Sequence, residues 1–483
     1  MSKNITQTIA DFASSTRFED LPSDVVDYAK LLILDTLICG LSAGRMPRTV
    51  MMHRLLDEFG GKEESVVFGS RRRYPAALAS MANAEIMNCL DADDTFFTSS
   101  HFAAFNVATA LAEAERSNAS GKDLVLAVVL GFDINARINL ASEVIRQNED
   151  GELQWAELQG MGFAAMGTAV TSGVLRGLDR EQMRNALGLV SYAAPNPVVN
   201  TTSARRKHHS FKYANYSGTA FAGVMSAMLA GQGYNAEQSC LDAAAFIRAQ
   251  GCLASVDELL LEDLGRKWWI TETAIKFYPS CRYTHGPIDM LTSLMAEEGL
   301  KADDIEESTI FINPMGYALL FFREPAKSLD IDHCAPSSGA FNIPYVMALA
   351  ALGRRPGPGW YSEESLKDPQ VWSLASRFKV APDEQGQREI VAALGEKIRR
   401  FRKTPASILV KARGNEYRRS IEYVAGDPWS DATRANWDSV TGKFRQFCHD
   451  LLSPQQIDRL AGQFRDLDQI THFRDEIDLL VVP

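Results

Sequence analysis

A mainly helical fold, with a smaller mixed α+β unit inserted late in the chain, is what this sequence of 483 residues predicts. Three observations carry the prediction. Long apolar segments rich in Ala and Gly succeed one another through the first 268 residues, with few of the β-branched residues that a parallel sheet wants. Strand texture is confined to the stretch 269–425, and from 426 onward the pattern is helical again. The expected architecture is therefore a large all-helical domain built from both chain ends (1–268 and 426–483) with an inserted α+β lid domain (269–425). A cleft between two such units is a common place for a small-molecule site.

Taken in order, Pro22-Ser23-Asp24 opens a helix that either polar residue can cap, with apolar positions at Val26, Ala29, Leu32, Ile33, Leu37 and Ile38. Gly40 and Gly44 mark its expected end. Further helices are expected at 76–90, 103–115, 123–140, 160–178, 181–193 and 213–231. Beyond the Gly-rich, acidic punctuation of 251–265, Ser308 to Ile312 reads as a strand. Ala406 to Ala412 and Arg418 to Val424, joined through Gly414-Asn415, read as a hairpin. Trp437 to Leu452 and Gln455 to Leu467 return to helical periodicity.

Composition narrows the function. A net charge of −11 argues against nucleic acid, which wants a basic face. No uninterrupted apolar run reaches eighteen residues, so no membrane span is expected. The first residues lack a signal-peptide core, and the cytosol is the expected location. Seven scattered cysteines without a C-x-x-C pair favour neither a disulfide framework nor a structural zinc site. No cofactor or metal motif is present. Gly160-Met161-Gly162-Phe163-Ala164-Ala165 has the form G-x-G-x-x-A, but no apolar strand precedes it, so tight helix packing is expected instead of a dinucleotide loop.

The stretch most suggestive of chemistry is Asp91-Ala92-Asp93-Asp94-Thr95-Phe96-Phe97-Thr98-Ser99-Ser100-His101. Three acids crowd into four positions at what reads as the C-terminal end of a helix. There they repel one another and face the negative end of the helix dipole. An acid cluster, a hydroxyl and an imidazole on a connection between two buried helices make a candidate acid–base site. A solvated loop is the bland alternative.

Two further runs stand out. The basic run Arg205-Arg206-Lys207-His208-His209 could attract carboxylates or simply be a solvated loop. Lys212, between Phe211 and Tyr213, opens a small-residue helix, so its ammonium is expected in partial burial, where it can act as acid, base or carboxylate anchor. The run from Lys276 through Tyr278, Pro279, Cys281 and His285 to Asp289 is the other. Its Cys/His pair is a weak nucleophile signal.

Ile33-Leu34-Asp35-Thr36, the D-x-D-D-T…H stretch, Phe211-Lys212 and Lys276-x-Tyr278-Pro279-x-Cys281 with His285 and Asp289 together resemble the MmgE/PrpD family over almost the whole chain. That family includes 2-methylcitrate dehydratases, cis-aconitate decarboxylases and iminodisuccinate epimerases. The resemblance implies a cofactor-independent, usually homodimeric enzyme that moves a proton beside a carboxylate of a small di- or tricarboxylate. Catalytic roles are implied for Asp91, Thr95, His101 and Lys212, and substrate binding for Lys276, with Cys281, His285, Arg206 and His209 as further binding candidates. In the expected chemistry His101 transfers the proton, with Asp91 orienting it or sharing the proton, while Lys212 and Lys276 bind substrate carboxylates. Two departures are visible. Leu158 stands about where decarboxylase-like members carry a His, and Phe322 where they carry a Tyr. A lyase losing water or CO2 is the favoured activity; an epimerase and a non-catalytic metabolite-binding relative are the alternatives.

Overall fold

The computed structural model describes residues 4–97, 100–156, 160–196, 212, 214–243, 245–320 and 339–478. Helices dominate. Helix α1 (Ser23–Ser42) is buried along nearly all its length. It runs through Gly40 where an end was expected, and that glycine serves packing: a Cβ there would come within 2.6 Å of the Phe68 ring. Nor does a side chain cap its start; Pro22 occupies the cap position and Ser23 is already helical.

Helices α2 (Ala76–Met87), α3 (Ala103–Ser117), α4 (Gly121–Ala141), α5 (Ala165–Leu175), α6 (Arg180–Ala193) and α7 (Tyr216–Gly231) follow where the apolar segments put them. Their small residues allow close crossings. At Gly131 of α4 a Cβ would lie 2.0 Å from Thr171 Oγ1 of α5, so any larger residue would force the two helices apart. Helix α4 is apolar and long enough to cross a membrane by length and composition, although no unbroken apolar run signalled it. Its apolar window is entirely buried in the protein, which makes it a core helix here.

The G-x-G-x-x-A stretch forms a 3-10 turn (Gly162–Ala164) leading into α5. A Cβ on Gly162 would strike the Pro195 carbonyl oxygen at 1.7 Å, as the packing interpretation requires. The strand before it, Leu153–Trp155, pairs antiparallel with Ile145–Gln147 in a small hairpin that the sequence did not reveal.

Two short strands matter for the site. Thr95–Phe96 (β1) pairs antiparallel with Thr273–Ala274 (β2), with Thr95 opposite Ala274. After helix α8 (His285–Glu297) comes a four-stranded sheet of Ile305–Ile312 (β3), Phe378–Pro382 (β4), Ala406–Ala412 (β5) and Asn415–Ile421 (β6), in the order β4-β3-β5-β6. A β5–β6 hairpin forms where one was expected, but it turns at Arg413 and Gly414, both with positive φ (51° and 74°), so its second strand starts at Asn415 and not at Arg418. Strand β4, parallel to β3, is a crossover partner that local sequence texture did not reveal. Helices α9 (Trp437–Phe447) and α10 (Pro454–Arg465) pack on α1, so both ends of the chain share one core.

Candidate active site

Helix α2 delivers the chain into the acid-rich stretch, and the three carboxylates go to three different tasks. All are buried. Asp94 accepts from the backbone N–H groups of Phe102 (3.3 Å) and Ala103 (3.0 Å) and from Thr273 Oγ1 (3.1 Å). It therefore serves the N-terminus of α3, where a negative group is welcome. The cost anticipated for acids at the end of α2 is thus partly offset by the next helix. Burial, and Asp93 beside it, push the Asp94 carboxyl up to about 7. Asp93 accepts from Asn88 Nδ2 (3.0 and 3.1 Å to its two oxygens) and lies 3.9 Å from His101 Nδ1.

Asp91 is the hub. Its Oδ1 accepts from Lys212 Nζ at 2.9 Å and its Oδ2 from Lys276 Nζ at 3.0 Å. Both lysines are fully buried, and Lys212 Nζ also donates to the Asn88 carbonyl at 2.6 Å. Burial opposes ionisation of Asp91, but the two ammonium groups outweigh it and hold the carboxyl well below the ordinary range. The same burial pulls the Lys212 pKa down despite Asp91. Both Asp91 (φ 55°) and Lys212 (φ 50°) adopt the left-handed conformation. Two ion-paired non-glycine residues in that region make a strained arrangement of the sort that clusters at functional sites. Pairing of β1 with β2 brings Lys276, two residues past the strand, to Asp91 across 185 positions of sequence.

His101 is buried, and its Nδ1–H donates to the Asp94 carbonyl. That bond fixes the tautomer and assigns the basic lone pair to Nε2. Burial, followed by the Lys276 charge, lowers the imidazole pKa to about 4, so it is neutral at pH 7. The Asp94 carbonyl holds Nδ1, with Asp93 alongside, and Asp91, bound to both lysines, acts on the imidazole through its charge. Asp93, Asp94 and His101 also place potential ligand atoms within 4.8 Å of one another, but both Asp94 oxygens are already engaged by α3 and Thr273.

A cavity of about 130 Å³ opens beside these groups. Asp91, Thr95, Ser100, His101, Asn139, Ser142 and Gln250 line it, together with Cys281, Arg282, Tyr283, Met315 and Phe341. The lining residues thus come from both the early helical region and the segments flanking the four-stranded sheet. Thr95 Oγ1 is buried there without a hydrogen-bond partner. The Cys281 thiol reaches the cavity, but burial pushes its pKa up to about 12, which argues against a thiolate nucleophile. Lys212 and Lys276 are not among the residues that line the cavity and are connected to it through Asp91. His285 does not line it either: it opens α8, sits edge-on to the Tyr278 ring and has Nε2 3.2 Å from the Ser280 carbonyl. Arg206, His209, Leu158 and Phe322 lie outside the described residues.

Several supporting groups were not anticipated. Lys443 of α9 donates to Asp35 Oδ1 (2.6 Å) and to the carbonyl of Ala92 (2.8 Å), anchoring the acid-rich stretch from the far end of the chain. A signal existed, since Lys443 interrupts the apolar face of α9 beside Phe444. Burial raises the Asp35 carboxyl to about 6 despite that lysine. Arg282 pairs with Asp427, tying the cavity wall to the C-terminal return. Asn88 holds both Asp93 and Lys212, and nothing in its local sequence marks it.

Comparison with known proteins identifies the family. The family model for the MmgE/PrpD N-terminal domain matches residues 7–250, and that for the MmgE/PrpD C-terminal domain matches residues 278–469. A cis-aconitate decarboxylase from Aspergillus terreus is 24% identical over 412 residues, 79% of each chain. The human cis-aconitate decarboxylase is 26% identical over 320 residues, 63% of each chain, and the mouse one is 25% identical over 399 residues, 79% of this chain and 76% of that protein. With two family models covering most of its length, the chain belongs to the MmgE/PrpD family.

Proposed function

We propose that this protein is a lyase that moves a proton at carbon next to a carboxylate of a small, aconitate-like polycarboxylate, with loss of CO2 or water. One observation carries the proposal: a neutral His101 with its tautomer fixed by the Asp94 carbonyl, in a cavity wall shared with the lysine-bound Asp91. The relatives named cis-aconitate decarboxylase favour loss of CO2.

For an unsaturated tricarboxylate such as cis-aconitate, the bond from the methylene carbon to its carboxylate breaks and CO2 leaves. The released electron pair forms a new carbon–carbon double bond, the old one shifts, and a proton is added at the former alkene carbon. His101 supplies that proton. Its low pKa rises when a polyanion binds beside it, because an adjacent negative charge stabilises imidazolium. Lys212 and Lys276 hold Asp91 ionised and add positive field for the charge that develops on the substrate. Thr95, with a buried hydroxyl and no partner, is suited to hydrogen-bond the substrate.

A second interpretation rests on the same His101. A neutral imidazole suits proton abstraction as the first step, and an epimerase needs abstraction and return alone. Incubating the protein with cis-aconitate and, separately, with iminodisuccinate in D2O and following each mixture by NMR separates the two. A shortened, deuterated dicarboxylate supports the decarboxylase, whereas a dicarboxylate substrate that exchanges its α-proton and racemises supports the epimerase. No change in cis-aconitate, citrate, methylcitrate or iminodisuccinate would overturn the enzymatic reading.

A further inference from the structure

Arg400, in the segment before β5, is only 6% exposed. Every hydrogen bond its guanidinium makes goes to a neutral oxygen. Nη2 donates to the carbonyls of Asn139 and Ser142 (3.0 Å to the latter), Nη1 to the carbonyl of Arg399 (3.1 Å), and Nε to Asn139 Oδ1 (3.3 Å). Among the described residues no carboxylate lies within ion-pair distance of it. The nearest acid in sequence to Ser142, Glu143, is engaged by Arg399 instead. Burial and the neighbouring Arg399 lower its pKa to about 10, which still leaves it charged at pH 7.

Part of this arrangement is a helix cap. The Asn139 carbonyl belongs to the last turn of α4 and Ser142 follows its end, so a cation there meets the negative end of the dipole. A cap does not require a fully desolvated charge, because a half-exposed Arg or Lys does the same work at lower cost. The side-chain bond to Asn139 has a more specific consequence. Arg400 has only donors, so the Asn139 oxygen must face it and the amide NH2 must point the other way. That NH2 donates to Ser100 Oγ at 2.9 Å. With its oxygen already accepting, the buried Ser100 hydroxyl has its own proton left to donate. Ser100, Asn139 and Ser142 all line the cavity, and Ser100 immediately precedes His101.

We propose that Ser100, Asn139 and Arg400 form a carboxylate-binding subsite in the cavity wall, a donor relay that anchors one carboxylate of the substrate next to His101. The inference rests on the polycarboxylate reading above. A carboxylate held by the Ser100 hydroxyl places the adjoining carbon at the imidazole, and the unpaired guanidinium supplies the balancing charge through Asn139. Arg400 is thus a positioning residue, with Ser100 in contact with the ligand.

Tricarballylate, a saturated tricarboxylate with nothing to eliminate, probes the subsite without turnover. Its Kd is measured by calorimetry on the full-length protein, alongside KM and kcat for cis-aconitate. Ser100→Ala removes the terminal donor and is expected to raise Kd and KM by about 10- to 100-fold, the worth of a hydrogen bond to a charged group, with kcat less affected. Asn139→Asp is the sharper variant. It keeps the oxygen that Arg400 needs and hence the cap, while its carboxylate captures the Ser100 proton and neutralises the guanidinium. The expected result is a melting temperature equal to or above that of the wild type, together with a Kd at least tenfold weaker. Arg400→Lys retains charge without the fork and should fall between wild type and Asn139→Asp in affinity. Unchanged Kd and KM in folded Ser100→Ala and Asn139→Asp, with cis-aconitate still turned over, overturn the subsite and leave the lyase standing. Ser100-dependent binding of tricarballylate without turnover of any polycarboxylate sustains the subsite and overturns the lyase. Absence of both binding and turnover in the wild type overturns both.

Discussion

Replacing Asp91 by Asn tests the hub of the site with little change of shape. Asn tolerates the left-handed backbone that residue 91 adopts (φ 55°), so the perturbation is mainly one of charge. In the wild type one carboxylate stands 2.9 and 3.0 Å from two buried ammonium groups. Removing its charge leaves two desolvated cations facing each other, and breaking a buried pair in this way costs about 3–5 kcal/mol. At about 2.1 cal/mol/K per residue, 483 residues unfolding as one unit have an unfolding entropy near 1 kcal/mol/K, so Tm should fall by about 3–5 °C.

Charge balance also fixes an ordering. Lys212→Met or Lys276→Met leaves Asp91 with one ammonium, a balanced pair, so each should destabilise less than Asp91→Asn. The pH dependence has a definite sign. Asp91 has a folded pKa below its unfolded value, so the stability it contributes is present above the ordinary carboxylate range. It is lost as pH falls below that range toward the folded pKa. In Asp91→Asn the buried Lys212, already pulled down by burial, loses its counter-charge and becomes more reluctant to hold its proton when folded. The Tm deficit of the variant should therefore shrink as pH rises toward the ordinary lysine pKa. Differential scanning calorimetry across pH reads all three effects. A variant that melts with the wild type at neutral pH, or lysine variants that fall further than Asp91→Asn, would refute the idea that Asp91 is the neutralising partner.

Other perturbations probe the neighbours. His101→Gln should lower kcat by about 10²–10⁴ with Tm nearly unchanged, as expected for loss of a general acid–base group and measured by turnover of cis-aconitate. On the epimerase interpretation, where neutral His101 is the base, wild-type kcat/KM should hold from pH 7 down to about 5 and then fall as the imidazole, with its pKa near 4, becomes protonated; a fall centred near 6.5 would contradict the buried environment. Thr95→Val removes a buried hydroxyl that has no partner, so the fold should be unharmed or slightly stabilised while KM rises, and an unchanged KM would remove Thr95 from substrate binding. Lys443→Met leaves Asp35 buried without its cation and frees the Ala92 carbonyl. It should cost about 3–5 kcal/mol in chemical denaturation. The loss should lessen at acid pH, because Asp35 then takes up a proton.

The sequence alone determined most of the helices and the β5–β6 hairpin, because helical periodicity, small residues and turn chemistry are local properties. It also determined the family and the stretch 91–101, since three acids, a threonine and a histidine so close together are visible without any fold. What those acids do was decided by tertiary structure. Asp94 serves a helix whose first amides fold back onto it, Asp93 goes to Asn88, and Asp91 meets two lysines brought from 121 and 185 residues away. Strand β4 was missed because a parallel pairing depends on a partner remote in sequence. Lys443 and Arg400 carried little local signal for the same reason: a buried cation acquires its role from the oxygens that packing brings around it. Local sequence can specify which groups are present, while pKa, tautomer and charge partner follow from burial and distance, and these exist only once the chain has folded.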